Sequence, residues 1–433
     1  MKIAAPKYTR DFYPEDMQRR EWIESAWIRA SRAAGFQPWD GPILESLDLY
    51  KRKSGDEIVD QLFTLVTKGG DELAIRPEMT PTLARMIAAR QSSLPRPIRW
   101  YTIGRMCRYE RGQRGRLREF WQWNVDLLGV EGPIADAEAA SVALDGLIEL
   151  GLGPADVEAR INSRALFAAL LDLLQVPQPR HAAVFAVADK RGKTPEAELV
   201  KLFREAGLSD LQHGRLTEIF AAETLADVRR LAVPLGDGAW REELDRLDRV
   251  FEYLDALGKR EFVRFDAGVV RGLAYYTGPV FEVFDKKGEF RALCGGGRYD
   301  RLMELMGGRP MPACGFGMGD VVLGELLAER GLAPPAENAV DYFLIPLEEE
   351  RIPDLLRLAA GLRSRRRARV DYAMKPGNLS KLLRRASDLG AGKALLVGGR
   401  EWASGLVRQR DLRSGEELDR PLSEFLDRPS PTC

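Results

Sequence analysis

The spacing of hydrophobic and polar positions changes several times along the chain, and each change indicates a different kind of element. Near the start, Ile23, Trp27 and Ala30 recur at helical intervals and Gly35 follows them. This pattern predicts an amphipathic helix that ends at the glycine. The short segment 41–45 contains a proline and apolar residues, and it is predicted to be an extended edge.

A regular alternation replaces the helical spacing between residues 97 and 129. It predicts a long antiparallel hairpin, with one strand at 98–110 and the other at 118–128. The connection between the two strands, residues 111–116, is rich in arginine.

The two faces of the second strand differ in chemistry, because successive side chains of a strand point to opposite sides. One face is apolar and is expected to lie in the core: Trp121, Trp123, Val125 and Leu127. The other carries one aromatic and three polar side chains: Phe120, Gln122, Asn124 and Asp126. Such a face suits the floor of a polar ligand site, and it equally suits a sheet face open to water.

Arginines are concentrated on the same hairpin. Arg108 and Glu110 share one face of the first strand. The residues that follow add four more arginines: Arg111, Arg114, Arg116 and Arg118. A guanidinium group binds phosphate oxygens in a bidentate manner, so this set suits a polyphosphate better than a carboxylate. The alternative is a basic loop that only contacts water.

The remainder of the chain divides into three parts. Residues 166–260 are mostly amphipathic helix, and strand residues return at 262–284. A glycine-spaced segment at 315–319 is expected to begin a helix, and 331–336 is expected to be a linker. Three apolar strand candidates then alternate with helices, which predicts a small βαβ domain with a parallel sheet: Tyr342–Ile345, Val370–Ala373 and Ala394–Val397.

Composition narrows the class of protein. The 433 residues favour two or three domains, and 65 basic residues balance 65 acidic ones, so any surface for nucleic acid must be local. Without a signal-peptide pattern or an apolar span, a cytoplasmic protein with no membrane segment is expected. Two histidines and four scattered cysteines exclude a zinc protease and a disulfide frame. Neither common glycine-rich nucleotide loop is present, so side chains would have to hold any ATP.

Several motifs resemble those of one enzyme class. Residues 107–110, the arginine-rich connection and Phe120 look like motif 2 of class II aminoacyl-tRNA synthetases. Residues 271–276 and 296–300 resemble two signatures of the histidyl-tRNA synthetase family. Residues 76–80 resemble the amino-acid-binding turn of that family. The resemblance extends over nearly the full length.

The resemblance implies an α+β fold, in which a class II antiparallel sheet is flanked by helices. Residues 1–165 and 261–331 would form the catalytic domain, 166–260 a helical insertion, and 338–433 an α/β anticodon-binding domain with a parallel βαβ sheet. Pro42 stands where motif 1 places its proline, which implies a homodimer interface.

The implied reaction uses ATP and Mg²⁺ to activate L-histidine, and then transfers histidine to the 3′ end of its tRNA. Arg108 and Arg271 would be catalytic, and no side chain is assigned to the metal. Four residues would bind ATP: Arg108, Glu110, Arg116 and Phe120. Eight would bind histidine: Glu78, Thr80, Gln122, Asp126, Arg271, Tyr275, Tyr276 and Tyr299.

The chain departs from the family pattern at motif 3, which normally carries a Glu-Arg pair whose arginine packs on adenine. Here Gly319 is followed by Asp320, Val321 and Val322. We expect another arginine, from the connection or at Arg298, to take that place. One alternative is a non-catalytic relative such as the regulatory subunit of ATP phosphoribosyltransferase. Another is a synthetase for a different small amino acid.

Overall fold

The computed structural model describes residues 3–51, 61–110, 115–191, 194–270, 275–334 and 340–426. Arg271, Arg111 and Arg114 therefore lie outside the described residues. The chain divides into two compact units between residues 334 and 335. In the described part, no helix combines the length and the apolar character needed to cross a membrane.

The first unit contains eleven described strands in two sheets. In chain order they are β1 (Gln37–Pro38), β2 (Leu44–Ser46), β3 (Phe63–Val66), β4 (Glu72–Ile75), β5 (Ile98–Cys107), β6 (Glu119–Leu128), β7 (Val157–Ser163), β8 (Val263–Phe265), β9 (Pro279–Asp285), β10 (Cys294–Arg298) and β11 (Ala313–Gly319). Eight of them form one sheet in the order β1-β5-β6-β11-β10-β9-β7-β8, and the other three form a small sheet in the order β2-β4-β3. The large sheet is antiparallel except at its two ends, where β1 runs parallel to β5 and β8 runs parallel to β7.

Helices flank the large sheet. The described ones are α1 (Pro14–Ala33), α2 (Leu47–Lys51), α3 (Thr80–Arg90), α4 (Pro133–Ile148), α5 (Arg164–Leu173), α6 (Gln178–Ala188), α7 (Glu196–Glu205), α8 (Asp210–Phe220), α9 (Leu225–Ala232), α10 (Trp240–Ala256), α11 (Leu302–Leu305) and α12 (Asp320–Glu329). Helices α5 to α10 occupy the segment predicted to be helical. They belong to the same unit as the sheet, because α10 packs against α4 and their apolar residues join one hydrophobic core.

Helix α1 shows how the apolar pattern of the sequence becomes packing. Ile23, Trp27 and Ala30 are buried as predicted, and Gly35 beyond the helix end has a left-handed φ of 75°. The Trp27 ring stacks on Trp123 of β6 at 5.8 Å between ring centres. The indole N–H of Trp123 donates a hydrogen bond to Ser31 Oγ at 2.9 Å. Helix α1 therefore covers the apolar face of β6.

The second unit is described from residue 340 to residue 426. Its elements are β12 (Val340–Pro346), α13 (Ile352–Arg366), β13 (Val370–Tyr372), α14 (Leu379–Asp388), β14 (Ala391–Val397), α15 (Gly399–Ala403), β15 (Leu406–Asp411), β16 (Glu417–Pro421) and α16 (Ser423–Leu426). β13, β12 and β14 are parallel, as predicted, whereas β15 and β16 extend the sheet antiparallel. The predicted parallel βαβ arrangement is confirmed, and β15 and β16 are two additional strands that were not predicted, because they are polar and have no apolar run.

Candidate active site

The predicted hairpin is formed by β5 and β6, which pair antiparallel from Ile98 with Leu128 to Cys107 with Glu119. The first strand ends three residues before the predicted end at Glu110. The backbone N–H of Arg108 still binds the Arg118 carbonyl at 2.9 Å, whereas the N–H of Tyr109 turns to the Gln61 carbonyl at 2.8 Å. The two strands of the hairpin thus separate after Arg108, just before the arginine-rich connection.

The predicted apolar face of β6 is buried throughout. On the opposite face, we name the side chains of Gln122, Asn124 and Asp126 the polar floor. Asn124 is 5% and Asp126 is 3% exposed, which excludes a sheet face open to water. The side-chain carbonyl oxygens of Gln122 and Asn124 are buried and find no hydrogen-bond partner among the described residues. Since an unpaired buried acceptor costs about 1–3 kcal/mol, the polar floor suits a ligand that carries hydrogen-bond donors.

Strand β11 leaves room above the polar floor. Gly315, Gly317 and Gly319 lie opposite Asp126, Asn124 and Gln122 respectively. A β-carbon at Gly317 would overlap the Gln122 amide nitrogen, and one at Gly315 would lie 2.7 Å from the Tyr299 hydroxyl oxygen. The glycine spacing predicted that this segment begins a helix. It is instead a strand, and α12 begins directly after it at Asp320.

Three tyrosines close one end of the polar floor. The hydroxyl of Tyr299 donates a hydrogen bond to Asp126 Oδ1. Burial, reinforced by the Asp126 charge, raises the pKa of Tyr299 well above its usual value, so this hydroxyl stays protonated and remains a donor. The ring centre of Tyr275 lies 4.7 Å from that of Tyr276 and 6.0 Å from that of Tyr299.

Arg108 links the hairpin to the turn that precedes α3. Its Nε donates to the Pro77 carbonyl at 3.0 Å, and its guanidinium carbon lies 5.3 Å from the centre of the Phe120 ring. Glu78, next in the chain after Pro77, is buried, as is Thr80 at the start of α3. The structure therefore brings Arg108 and Phe120 to the same turn as Glu78 and Thr80.

Arg76 has a positioning role that the sequence did not reveal. Its buried guanidinium donates through Nη1 to Asp40 Oδ1 at 2.7 Å and to the Gly41 carbonyl at 2.9 Å. Its Nε donates to the Arg105 carbonyl at 3.0 Å. Arg76 thus ties the segment before β2 to β5, and it fixes the start of the turn that carries Glu78. Only its place inside the motif-like turn could have indicated this role.

Glu110 and Arg116, both predicted to contact ATP, bind each other. Arg116 Nη1 lies 2.8 Å from Glu110 Oε2. The Arg116 side chain is 43% exposed, whereas that of Glu110 is only 14% exposed. The mouth of the hairpin thus carries one cation and one carboxylate that neutralise each other in this structure.

Arg298 is not available to a ligand, which corrects the expectation that it could replace the motif 3 arginine. Its buried guanidinium donates to both oxygens of the buried Asp136 at 2.9–3.1 Å and to Asp300 Oδ1 at 3.1 Å. It also donates to the carbonyls of Val130 and Gly132. Burial by itself lowers the pKa of Arg298, but the Asp136 carboxylate more than offsets it, and the pKa is raised. This arginine joins β10 to α4.

Comparison with known proteins connects this geometry to a family. A family model described as histidyl-tRNA synthetase matches residues 8–319. A histidine–tRNA ligase of Opitutus terrae is 42% identical over 421 residues, which cover 96% of this chain and 95% of the relative. The chain belongs to the histidyl-tRNA synthetase family.

Solved structures agree with this assignment at the level of the fold. The crystal structure of a histidyl-tRNA synthetase from a Nostoc species has a TM-score of 0.84 at 21% identity and covers 98% of each chain. A Bacillus halodurans structure titled as an ATP phosphoribosyltransferase regulatory subunit/histidyl-tRNA synthetase has a TM-score of 0.75 at 23% identity, with 92% of this chain and 98% of the other covered. The fold is that of a class II synthetase, and at these identities the likeness extends to the fold alone.

At the motif 3 position of this family member, Asp320 holds α12 against β6. Asp320 is buried, accepts a hydrogen bond from the Trp121 N–H at 2.9 Å and pairs with Arg10 at 2.6 Å. Burial raises the pKa of Asp320, and the Arg10 charge opposes that shift. The missing Glu-Arg pair is visible in the sequence, but the contact by which Asp320 ties α12 to β6 is not.

Proposed function

We propose that this chain is a histidine–tRNA ligase. It activates L-histidine with ATP to give histidyl-adenylate and pyrophosphate, and then transfers histidine to the 3′ end of its tRNA. The observation that carries the proposal, beside membership of the family, is the buried polar floor capped by the Tyr299–Asp126 hydrogen bond. It is a set of buried donors and acceptors on a strand of the arginine-bearing hairpin.

The histidine side chain would bind over the polar floor. A neutral imidazole has one donor and one acceptor, and Asp126, Gln122 and Tyr299 can match both. An apolar analogue would leave these buried groups unpaired, which disfavours its binding. Glu78 would bind the α-ammonium group, and the remaining proposed contacts are Thr80, Tyr275 and Tyr276.

The nucleotide would bind along the hairpin. Arg108 would hold the α-phosphate, and adenine would stack on Phe120, the ring that Arg108 already contacts. Glu110 would accept a hydrogen bond from the adenine amino group. Arg116 would exchange its pairing with Glu110 for the γ-phosphate, since a solvent-accessible ion pair is worth only about 0–1 kcal/mol.

Mg²⁺ would enter with ATP as part of the substrate. No group of three or more His, Cys, Asp or Glu side chains within the described residues could hold a metal ion. In this proposal the magnesium ion is bound mainly through the phosphates. When bound, it supplies positive charge at the phosphate oxygens.

The activation step needs charge stabilisation and no general base. The histidine carboxylate is already ionised, so one of its oxygens forms a bond to the α-phosphorus while the bond to pyrophosphate breaks. Arg108 and Arg271 would stabilise the charge that develops on the α-phosphate oxygens. Arg271 lies outside the described residues, so its role rests on the family signature alone.

The second unit would bind the anticodon region of the tRNA. Its α13 ends in a cluster of basic residues, of which Arg363 and Arg366 lie beside the rings of Tyr372 and Phe425. A basic surface of this kind binds phosphates. A homodimer that pairs through the Pro42 region, and a cytoplasmic location, belong to the same proposal.

Exchange of labelled pyrophosphate into ATP tests the activation step. The proposal expects exchange that depends on L-histidine, and subsequent charging of histidine tRNA. Binding of histidine without exchange would instead support a regulatory relative. Exchange that depends on another amino acid would support a synthetase of different specificity.

A further inference from the structure

The loop between β9 and β10 places one arginine beside the proposed nucleotide site. Asp285 at the end of β9 is buried, and its carboxylate accepts hydrogen bonds from the N–H groups of Glu289 and Phe290 at 3.1 and 3.0 Å. Lys287 of the loop lies 3.3 Å from Glu329 of α12. The loop is thus held in shape by Asp285 and held against α12 by an ion pair.

Arg291 follows directly after this fixed turn and lies beside α12. A β-carbon at Gly115 would lie 3.1 Å from Val322 Cγ2 and 4.0 Å from Arg291 Cδ. The stem of Arg291 and the side chain of Val322 therefore flank the same point of the hairpin mouth, one residue before Arg116. Val322 is one of the two apolar residues that follow Asp320, so α12 itself offers no cation at this point and Arg291 brings one from a different segment.

The guanidinium of Arg291 is available to a ligand. It forms no hydrogen bond and no ion pair with any residue of the described ranges, although Glu110 and Arg116 are its charged neighbours. Glu110 is already paired with Arg116. Partial burial, followed by the repulsion from Arg116, lowers the pKa of Arg291. The Arg291 side chain is exposed beside the proposed ligand site, and a guanidinium in such a place binds a π surface or an anion.

We propose that Arg291 packs its guanidinium plane on the purine of ATP, on the face opposite Phe120. The inference rests on the proposed function, since it concerns the same nucleotide. Arg291 neighbours Glu110, the group assigned to the purine amino position, and it emerges beside Val322, which provides only an apolar contact. A planar guanidinium stacks on a base, whereas an ammonium group does not.

The first experiment compares Arg291→Ala and Arg291→Lys in the histidine-dependent exchange reaction. Loss of a cation–π contact should raise the KM for ATP by about 3- to 30-fold, with kcat and the KM for histidine nearly unchanged. Arg291→Lys should lose most of the same affinity. Lys286→Ala is the matched control, because Lys286 is an exposed cation of the same loop. An unchanged KM for ATP in Arg291→Ala would overturn the inference.

Adenosine distinguishes a purine contact from a phosphate contact. It carries the base without phosphates, and its binding can be measured by calorimetry without any reaction. The inference expects Arg291→Ala to weaken adenosine binding by a factor similar to that for ATP. Weakened ATP binding with unchanged adenosine binding would assign Arg291 to the phosphates and overturn the inference. A wild-type protein without exchange activity would instead contradict the proposed function, and the adenosine measurement would still test Arg291.

Discussion

Arg108 and Arg298 show that an arginine can either stabilise the fold or remain available to a ligand. Arg298 is surrounded by two carboxylates and two backbone carbonyls, so all its donors are used within the fold. Removing one partner of such a buried pair costs about 3–5 kcal/mol, because the other charge is left uncompensated. Arg108 uses one donor on a carbonyl, and its guanidinium carbon lies 5.3 Å from the centre of the Phe120 ring, which leaves further donors for a ligand.

The role of the hydrogen bond between Tyr299 and Asp126 in histidine binding can be tested by removing one oxygen atom. Tyr299→Phe removes the donor and leaves the buried carboxylate without this partner, a loss of about 1.5–3 kcal/mol for a bond to a charged group. We expect the KM for histidine to rise at least about 10-fold, because Asp126 is no longer fixed over the polar floor. The KM for ATP should change less than about 2-fold.

Tyr253→Phe is the control for that variant, since Tyr253 is an exposed tyrosine of α10. Equal losses for histidine and ATP in Tyr299→Phe would argue against a specific role in histidine binding. The high pKa of Tyr299, caused by burial and the Asp126 charge, adds a second expectation. The pH dependence of the KM for histidine in the neutral range should contain no contribution from this phenol.

The polar floor could be predicted from sequence because it depends on one strand. The period of two assigned Gln122 and Asp126 to the face opposite the tryptophans, and the structure confirms that separation. The partners of Arg298 could not be predicted in this way, since Asp136 lies 162 positions away in the chain. Only the antiparallel order of β10, β11 and β6 and the packing of α4 bring them together.

At the scale of elements, β11 determines how much space the site has. Every second residue of β11 is a glycine that lies opposite a residue of the polar floor. Because these glycines have no side chains, Gln122 and Tyr299 can fill part of the space that side chains would occupy. The glycine spacing was visible in the sequence, but it did not indicate that the segment is a strand. A run of glycines has no apolar period, so the same pattern suits a helix start, a turn or a strand.

Gly317→Ala tests this function of β11. The added methyl group would overlap the Gln122 amide nitrogen, and overpacking of this kind costs about 1–3 kcal/mol. We expect a lower midpoint of urea unfolding and a raised KM for histidine. The double variant Gly317→Ala with Gln122→Ala should recover stability, because the overlapping group is gone.

Gly324→Ala on α12 is the matched control, as no atom lies within 4 Å of the added carbon. It should leave the KM for histidine unchanged and stabilise the protein by up to about 1 kcal/mol through helix propensity. If the stability losses of the single variants Gly317→Ala and Gln122→Ala simply add in the double variant, the overlap is not the cause of the loss. The proposed role of β11 is then wrong.

At the scale of the whole molecule, the small sheet of the first unit connects the proposed dimer surface to the site. Its edge strands β2 and β3, with the residue just before β2, leave apolar side chains in solvent: Ile43 is 54%, Leu44 43% and Val66 68% exposed. Exposed apolar edges of this kind are typical of protein interfaces. The segment just before β2 is bound through Arg76 to the turn that carries Glu78.

The dimer is therefore expected to support histidine binding as well as assembly. The wild-type protein should sediment as a dimer at micromolar concentration, paired across a two-fold axis. The double variant Ile43→Glu with Leu44→Glu should dissociate, because two carboxylates would be buried without partners. Its monomer should also bind histidine more weakly, since the Asp40–Arg76 contact loses the support of the partner surface. Leu211→Glu, at an exposed leucine of α8, is the control and should leave both properties unchanged. A wild-type protein that sediments as a monomer while it activates histidine at full rate would contradict the proposed dimer and its link to the site.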